Sequence, residues 1–277
     1  MFTFLRSLFI FFIYLSSISC YSLEQLTNGV WLSGAAYCGK DKYPTMKLAG
    51  PVSDFVYDST IYDPKTDLQG FIGKFDSTKS IHVVLRGSSS KMNWLDDFEI
   101  NKVTYESFPE CNCKVHNGFY KSARNVVNST INSVNLLLKF NPGYDVYVNG
   151  HSYGGSSGHL LAMELVKYGI KPHVYDYGQP RPGDKTFATF SKNKLQNYWR
   201  TTHNKDMVPH VPPIEGFGYY HSCGEIFEDN NGALHTCSST VCEDPKCADQ
   251  YALYQTNTDD HYYYLGHRVS CENSTII

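Results

Sequence analysis

Tyr144-Asp145-Val146-Tyr147-Val148-Asn149-Gly150-His151-Ser152-Tyr153-Gly154-Gly155 is the stretch on which the fold turns. Its centre is Gly-x-Ser-x-Gly, and Tyr144 to Asn149 ahead of it has the composition of a strand. Behind it, Leu160, Leu161, Met163, Leu165 and Val166 recur at helical spacing and fall largely on one side. Strand, sharp turn and helix are the setting of a nucleophile elbow. Such a turn forces the serine into a strained backbone conformation, and helix and strand cross too closely for a Cβ at Gly150 or Gly154. The hydroxyl then stands at the carboxyl edge of a sheet, above a helix N-terminus that favours developing negative charge. The bare pattern arises by chance in roughly one of seven chains of this composition, so its setting carries the weight.

Working outward, short β-like runs alternate with helical ones, which is the order of an α/β fold with a mostly parallel central sheet. Ile81-His82-Val83-Val84-Leu85 reads as a strand that ends in Arg86-Gly87-Ser88-Ser89-Ser90. Phe119 to Phe140 reads as a helix with Val126, Val127, Ile131, Val134 and Leu138 inward. His173 to Gly178 and Asn197 to Thr202 read as the next strands, and the final third as loops plus a strand around His221 to Phe227. No repeat, low-complexity tract or long linker interrupts the chain.

The first 20 residues have the layout of a secretory signal. Arg6 supplies the positive end, Leu8 to Leu15 an apolar run too short to span a bilayer, and Ser16, Ser17 and Ser19 the small residues near a cleavage site. Residues 21–277 then suit one α/β domain of ordinary core size. Loss of Cys20 with the leader turns nine cysteines into eight: Cys38, Cys111, Cys113, Cys223, Cys237, Cys242, Cys247 and Cys271. An even number in a secreted chain points to disulfides, whose connectivity counting leaves open. Zinc is the rival for Cys237, Cys242 and Cys247, but none of them forms a Cys-x-x-Cys pair. Asn128-Ser129-Thr130 and Asn273-Ser274-Thr275 are glycosylation acceptors that fit secretion to the extracellular space. With a formal net charge of −3 and no long basic run, nothing points to a nucleic-acid partner. The 22 tyrosines read as a wet, Tyr-rich exterior.

A serine is a weak nucleophile near neutral pH and needs a base, which needs an orienting carboxylate. On sheets of this kind the order along the chain is Ser, acid, His. Asp176 and Asp206 are the acids near strand ends downstream of Ser152. Asp176 lies inside its strand, where a satisfied buried carboxylate is the simpler role, so Asp206 is preferred. His261 follows both acids; His221 reads as a loop brace and His267 as a surface residue. The oxyanion donors fall to the N–H of Tyr153 and to the Gly87-Ser88 turn, where the Ser88 hydroxyl can add to its N–H.

These residues together resemble the fungal-type, or class 3, triacylglycerol lipases, a family that includes the feruloyl esterases. The segments that carry the resemblance are Val84 to Ser90 with Asn93-Trp94-Leu95, Val115-His116-Asn117-Gly118-Phe119, and the elbow itself. Beyond the elbow they are Tyr177-Gly178-Gln179-Pro180-Arg181-Pro182-Gly183-Asp184, Asp206 to Pro213, and His261. The match runs from about Cys38 to Cys271. It implies an α/β-hydrolase fold, Ser152 as nucleophile, His261 as general base and acid, Asp206 as orienter, and an oxyanion hole from Ser88 and Tyr153. It implies no cofactor, an acylglycerol or other ester as substrate, and transient contact with a lipid interface. A helical lid is implied over about Ser90 to Phe98, with Met92, Trp94 and Leu95 as its apolar residues. For disulfides the resemblance implies Cys38–Cys271 and Cys237–Cys247. Cys111–Cys113 resembles a local bridge on the feruloyl esterase side, which leaves Cys223 and Cys242 to each other.

Two departures stand out. Lys91, Asp96, Asp97 and Glu99 make the lid segment fairly polar, and Tyr153 stands where many members carry Leu. The expected activity is therefore hydrolysis of carboxylic esters, acylglycerols first. An esterase acting on soluble or aromatic esters is the alternative, and a catalytically silent binding protein on the same scaffold is the rival from another class.

Overall fold

The strands assemble side by side in the order in which the chain makes them. The computed structural model describes residues 21–88 and 100–276. The leader and the lid residues Met92, Trp94 and Leu95 lie outside the described residues. Among those described, the largest sheet has eight strands: β1 Val56–Asp63, β2 Leu68–Phe75, β3 Ser80–Leu85, β4 Asp145–His151, β5 Pro172–Tyr177, β6 Asn197–His203, β7 Glu225–Glu228 and β8 Leu234–Thr236. β1, β2 and β3 pair antiparallel, β3 through β7 pair parallel, and β8 closes antiparallel on β7. The fold is that of an α/β-hydrolase, as the resemblance implied.

Parallel strands need crossovers, and helices supply them. Asn117–Phe140 (α2) links β3 to β4, Tyr153–Lys167 (α3) links β4 to β5, and Lys185–Lys194 (α4) links β5 to β6. Leu23–Ala35 (α1) lies across the opposite face. Alternation along the strands divides the core. Val146, Val148 and Val174 join Ile131, Val134, Leu160 and Leu161 of α2 and α3. Tyr147, Tyr175 and Tyr177 face the other way, onto Leu26 and Val30 of α1.

Several expectations shift in detail. The second helix starts at Asn117, where the His116 side chain accepts from the Phe119 N–H at 3.3 Å, and Leu137 is its buried leucine while Leu138 packs only partly. α3 is buried on nearly every side, since His159 and Glu164 go under with Leu160 and Leu165. A helix in a layer between sheet and second helix needs no polar stripe. The late strand begins at Glu225, and His221 falls in the turn before it.

The tyrosines correct the reading of a wet exterior. Tyr43, Tyr105, Tyr177, Tyr219 and Tyr264 are among the largest fully buried side chains. Burial is tolerated where the hydroxyl finds an acceptor: Tyr43 reaches the Ala36 carbonyl at 2.6 Å, and Tyr177 reaches that of Leu26. His267 is likewise no surface residue, because it is buried and its ring stacks on Trp31 at 4.1 Å.

Four disulfides join the described cysteines: Cys38–Cys271, Cys111–Cys113, Cys223–Cys242 and Cys237–Cys247. The first spans 233 residues and ties α1 to the C-terminal segment. The Glu225 carboxylate comes within metal-binding reach of Cys237 and Cys247, but those sulfurs are bonded to each other and offer no thiolate.

Burial also sets the acid limit of the fold. Burial lowers the pKa of His151 and His159 to about 3, and that of His82, His210, His221 and His267 to about 4. An unfolded histidine takes its proton near ~6.5. As pH falls below that, the unfolded chain binds more protons than the folded one. Stability present above pH ~6.5 is therefore lost on the way down to pH 3–4. Asp176, Glu228 and Asp249, raised by burial, act in the opposite sense but are outnumbered. Each histidine can cost up to about 2 kcal/mol between pH 7 and pH 5. Thermal unfolding followed across that range should show a falling Tm, and a flat profile would mean that these rings are not held neutral.

Candidate active site

The carboxyl ends of β3, β4, β5 and β6 lie along one edge, and each is followed at once by residues singled out in the sequence. Register places Leu85 beside Gly150, and His151 beside Tyr177. Ser152, the first residue past β4, has φ +60° and ψ −130°, a conformation that only a surrounding structure can impose on a side-chain-bearing residue. The imposing contacts are backbone. A Cβ at Gly154 would lie 2.6 Å from the Arg86 carbonyl oxygen and nearer still to that of Leu85, and one at Gly150 would lie 2.7 Å from the Gly155 nitrogen. Ser152 N–H donates to the Tyr177 carbonyl at 2.9 Å, which fastens the turn to β5.

Past β3, Gly87 abuts the turn: a Cβ there would sit 2.9 Å from the Ser152 Cβ. Ser88 follows it, partly exposed. Tyr153 opens α3 with its N–H at the free end of the helix, and its hydroxyl meets Ser122 Oγ at 2.7 Å and donates to the Gly118 carbonyl at 3.1 Å. A tyrosine at this place thus moors the elbow to the start of α2.

Asp206 follows β6 by three residues, and His261 sits in the short turn Asp260–Tyr262. The structure brings them together at 2.8 Å, His261 Nδ1 to Asp206 Oδ2, both 2% exposed. Tyr264 donates its hydroxyl to the same carboxylate oxygen, and the Val208 N–H donates to the other at 2.8 Å. Burial alone would raise the Asp206 carboxyl, but the His261 ring and these donors outweigh it and hold the group below its ordinary range. The His261 ring packs 4.4 Å from that of His151, the residue before Ser152.

The two loops are clamped to one another. Asp260 Oδ2 accepts from Asn204 Nδ2 at 2.9 Å, Lys205 N–H at 3.1 Å and Asn257 Nδ2 at 2.9 Å. Met207 N–H donates to the Asn257 carbonyl at 3.0 Å. Tyr264, Asn204, Asn257 and Asp260 escaped the sequence reading. In the run Tyr262-Tyr263-Tyr264 nothing local tells which ring turns inward, and Asn-x-x-Asp is too common to stand out.

Asp176 stays apart from the Asp206–His261 pair, but it is only half satisfied where a satisfied carboxylate was expected. It is buried on the α3 side of the sheet, and Gln179 Nε2 donates to its Oδ2 at 2.8 Å, while Oδ1 has no partner among the described residues. Burial raises its pKa well above the usual carboxylate range. His221 braces the neighbouring loop, its Nε2 donating to the Gln179 carbonyl at 3.0 Å.

The fold and the strained serine turn define the molecule as an α/β-hydrolase. The family model for class 3 lipases matches residues 82–216. The chain is 31% identical to a lipase of Rhizomucor miehei over 263 residues, 88% of this chain and 69% of that one. It is 32% identical to a secreted mono- and diacylglycerol lipase of Fusarium solani, over 70% of this chain and 60% of the other. A solved triacylglycerol lipase, described as having a serine-protease triad for its catalytic centre, superposes with a TM-score of 0.81 at 31% identity. That likeness covers 89% of this chain and 95% of that one. The chain belongs to the class 3 lipase family.

Three substitutions test the geometry without any assay of turnover. Gly154→Ala sets a methyl against backbone that cannot yield, beyond the ~1–3 kcal/mol of ordinary overpacking, and should abolish soluble folded protein. Gly158→Ala, whose Cβ would meet only side chains at 3.3 Å or more, should express and melt like the parent. Tyr264→Phe deletes a donor to a buried carboxylate and should cost about 1.5–3 kcal/mol, read as a Tm lower by several degrees. An unchanged Tm would mean that the hydroxyl does not hold Asp206.

Proposed function

We propose that this chain is a secreted serine lipase that hydrolyses the ester bonds of acylglycerols through an acyl-enzyme. The observation that carries the reading is the buried Asp206–His261 pair at 2.8 Å, packed against the residue that precedes the strained Ser152. With Asp206 accepting from Nδ1–H, the His261 Nε2 is left as a base. It takes the Ser152 proton as Oγ attacks the ester carbonyl. The N–H groups of Tyr153 and Ser88 receive the charge that develops on the carbonyl oxygen. His261 then returns the proton to the departing alcohol, and water, deprotonated by the same ring, releases the acid. None of these steps calls for a metal or an organic cofactor.

Secretion is supported by the leader-like first 20 residues and by four disulfides, which persist in oxidising compartments. Asn128 and Asn273 are both exposed, as acceptors of N-linked glycans must be. The charged lid segment favours a second reading, an esterase for soluble or aromatic esters, because a lid that opens onto lipid needs an apolar underside.

Hydrolysis of emulsified long-chain triacylglycerol and of a dissolved short-chain ester, side by side, separates the readings. Ser152→Ala should retain the parental melting profile and lose at least about 10³-fold in kcat on either substrate. Turnover on the emulsion supports the lipase. Turnover confined to the dissolved ester supports the esterase, and activity surviving in Ser152→Ala would sink the mechanism.

A further inference from the structure

The general base proposed above is held at two points, and only one of them is its bond to Asp206. The other is its own main chain. His151 Nε2 lies 2.7 Å from the His261 carbonyl oxygen. A carbonyl can only accept, so His151 carries its proton on Nε2. The ring is completely enclosed, and burial keeps it neutral down to pH ~3. A neutral imidazole protonated on Nε2 has a bare Nδ1, which must accept. The Tyr37 hydroxyl stands 2.7 Å from Nδ1 and is the donor. Burial raises the Tyr37 phenol far out of the physiological range, so the hydroxyl always has a proton to give.

On its other side the Tyr37 oxygen lies against Gly87, just past the end of β3. Contact there is close enough that a Cβ at Gly87 would strike the hydroxyl. One chain of contacts thus runs from the residues just past β3, through the Tyr37 hydroxyl and His151, to the backbone of His261. Tyr37 is positioned for this by its neighbour, since Cys38 is bonded to Cys271 in the C-terminal segment.

We propose that Tyr37 and His151 are positioning residues, a hydrogen-bonded tie that sets the His261 backbone against the elbow and the oxyanion loop. The proposal rests on the serine-hydrolase reading for its catalytic meaning. Without the Tyr37 donor, Nδ1 of His151 is left a bare acceptor in the interior, and the ring is held at one end only, by its Nε2–H bond to the His261 carbonyl. The ring can then tilt out of its place, and the turn carrying the base moves with it away from Ser152. A misplacement of ~1 Å at reacting groups can cost up to about 100-fold in rate, while binding of the ester is little affected.

The test combines steady-state kinetics on a dissolved ester with ¹⁵N NMR of histidine-labelled protein and a melting curve. Tyr37→Phe should lower kcat about tenfold or more with KM within about twofold, and should shift the ¹⁵N resonance of the bare Nδ1 of His151, as for an acceptor that has lost its donor. His151→Gln, whose amide can still donate to the His261 carbonyl, should retain more kcat than His151→Leu. Adding Tyr37→Phe to His151→Leu should lower kcat no further, because the tie is already cut. Wild-type kcat in Tyr37→Phe, additive losses in the double variant, or an Nδ1–H His151 in the parent would each overturn the proposal. A parent without Ser152-dependent turnover would overturn the hydrolase reading instead, and the NMR tautomer would then decide the tie alone.

Discussion

A serine held at positive φ between a strand and a helix is a conformation the chain would not choose, and most of the architecture exists around that constraint. Ser152 stays there because α3 crosses β3 and β4 backbone to backbone, with Gly150 and Gly154 at the crossing and the Ser152 N–H bonded to Tyr177. The cost of such a residue is of order 1–3 kcal/mol, small beside the burial of two helices and a sheet that enforce it. The same crossing brings Gly87 against the Ser152 side chain and aims the helix N-terminus at the site. Position at the elbow and the direction of the helix N-terminus are thus one structural fact.

Around the elbow the protein buries many polar groups, and several of them are held in ion pairs. Beneath the loop that carries Asp206, Arg181 pairs with Glu243 at 3.0 Å and with Asp249 at 3.3 Å, and donates to the His210 carbonyl at 2.6 Å. Glu243 is held well below the usual carboxylate range: burial would raise it, but His221 and Arg181 prevail. Asp249, with burial dominant and Glu243 beside it, is pushed up to about 6. Buried ion pairs of this kind add little net stability, because desolvation offsets attraction. What they do is penalise every alternative placement of the loop, since each would strand a charge in the interior. The Asp260 carboxylate does the same between the loop that carries Asp206 and the turn that carries His261.

Legibility in the sequence followed the range of the interaction. The elbow, the parallel strands and the crossover helices were readable because each rests on spacing along a few residues: a period near 2, a period near 3.6, or glycines flanking a serine. Ser152, Asp206 and His261 were nominated by order and setting, and the structure places the acid and the histidine in contact. Where the reading failed, a long-range partner had decided. Tyr147, Tyr175 and Tyr177 go inward because α1 covers them, and His267 because Trp31 lies over it.

The sequence by itself determined the fold class, the strained turn at Ser152 and the residue types of the candidate site, since these follow from local sterics and from hydrophobic period. Only the tertiary structure decided which tyrosine serves Asp206, which tautomer His151 adopts, and how Tyr37 comes to meet a glycine at the end of β3. Those are contacts between residues up to 114 positions apart, the first two of them hydrogen bonds. Their donors and acceptors are matched by folding in three dimensions, and no pattern along the chain records the match.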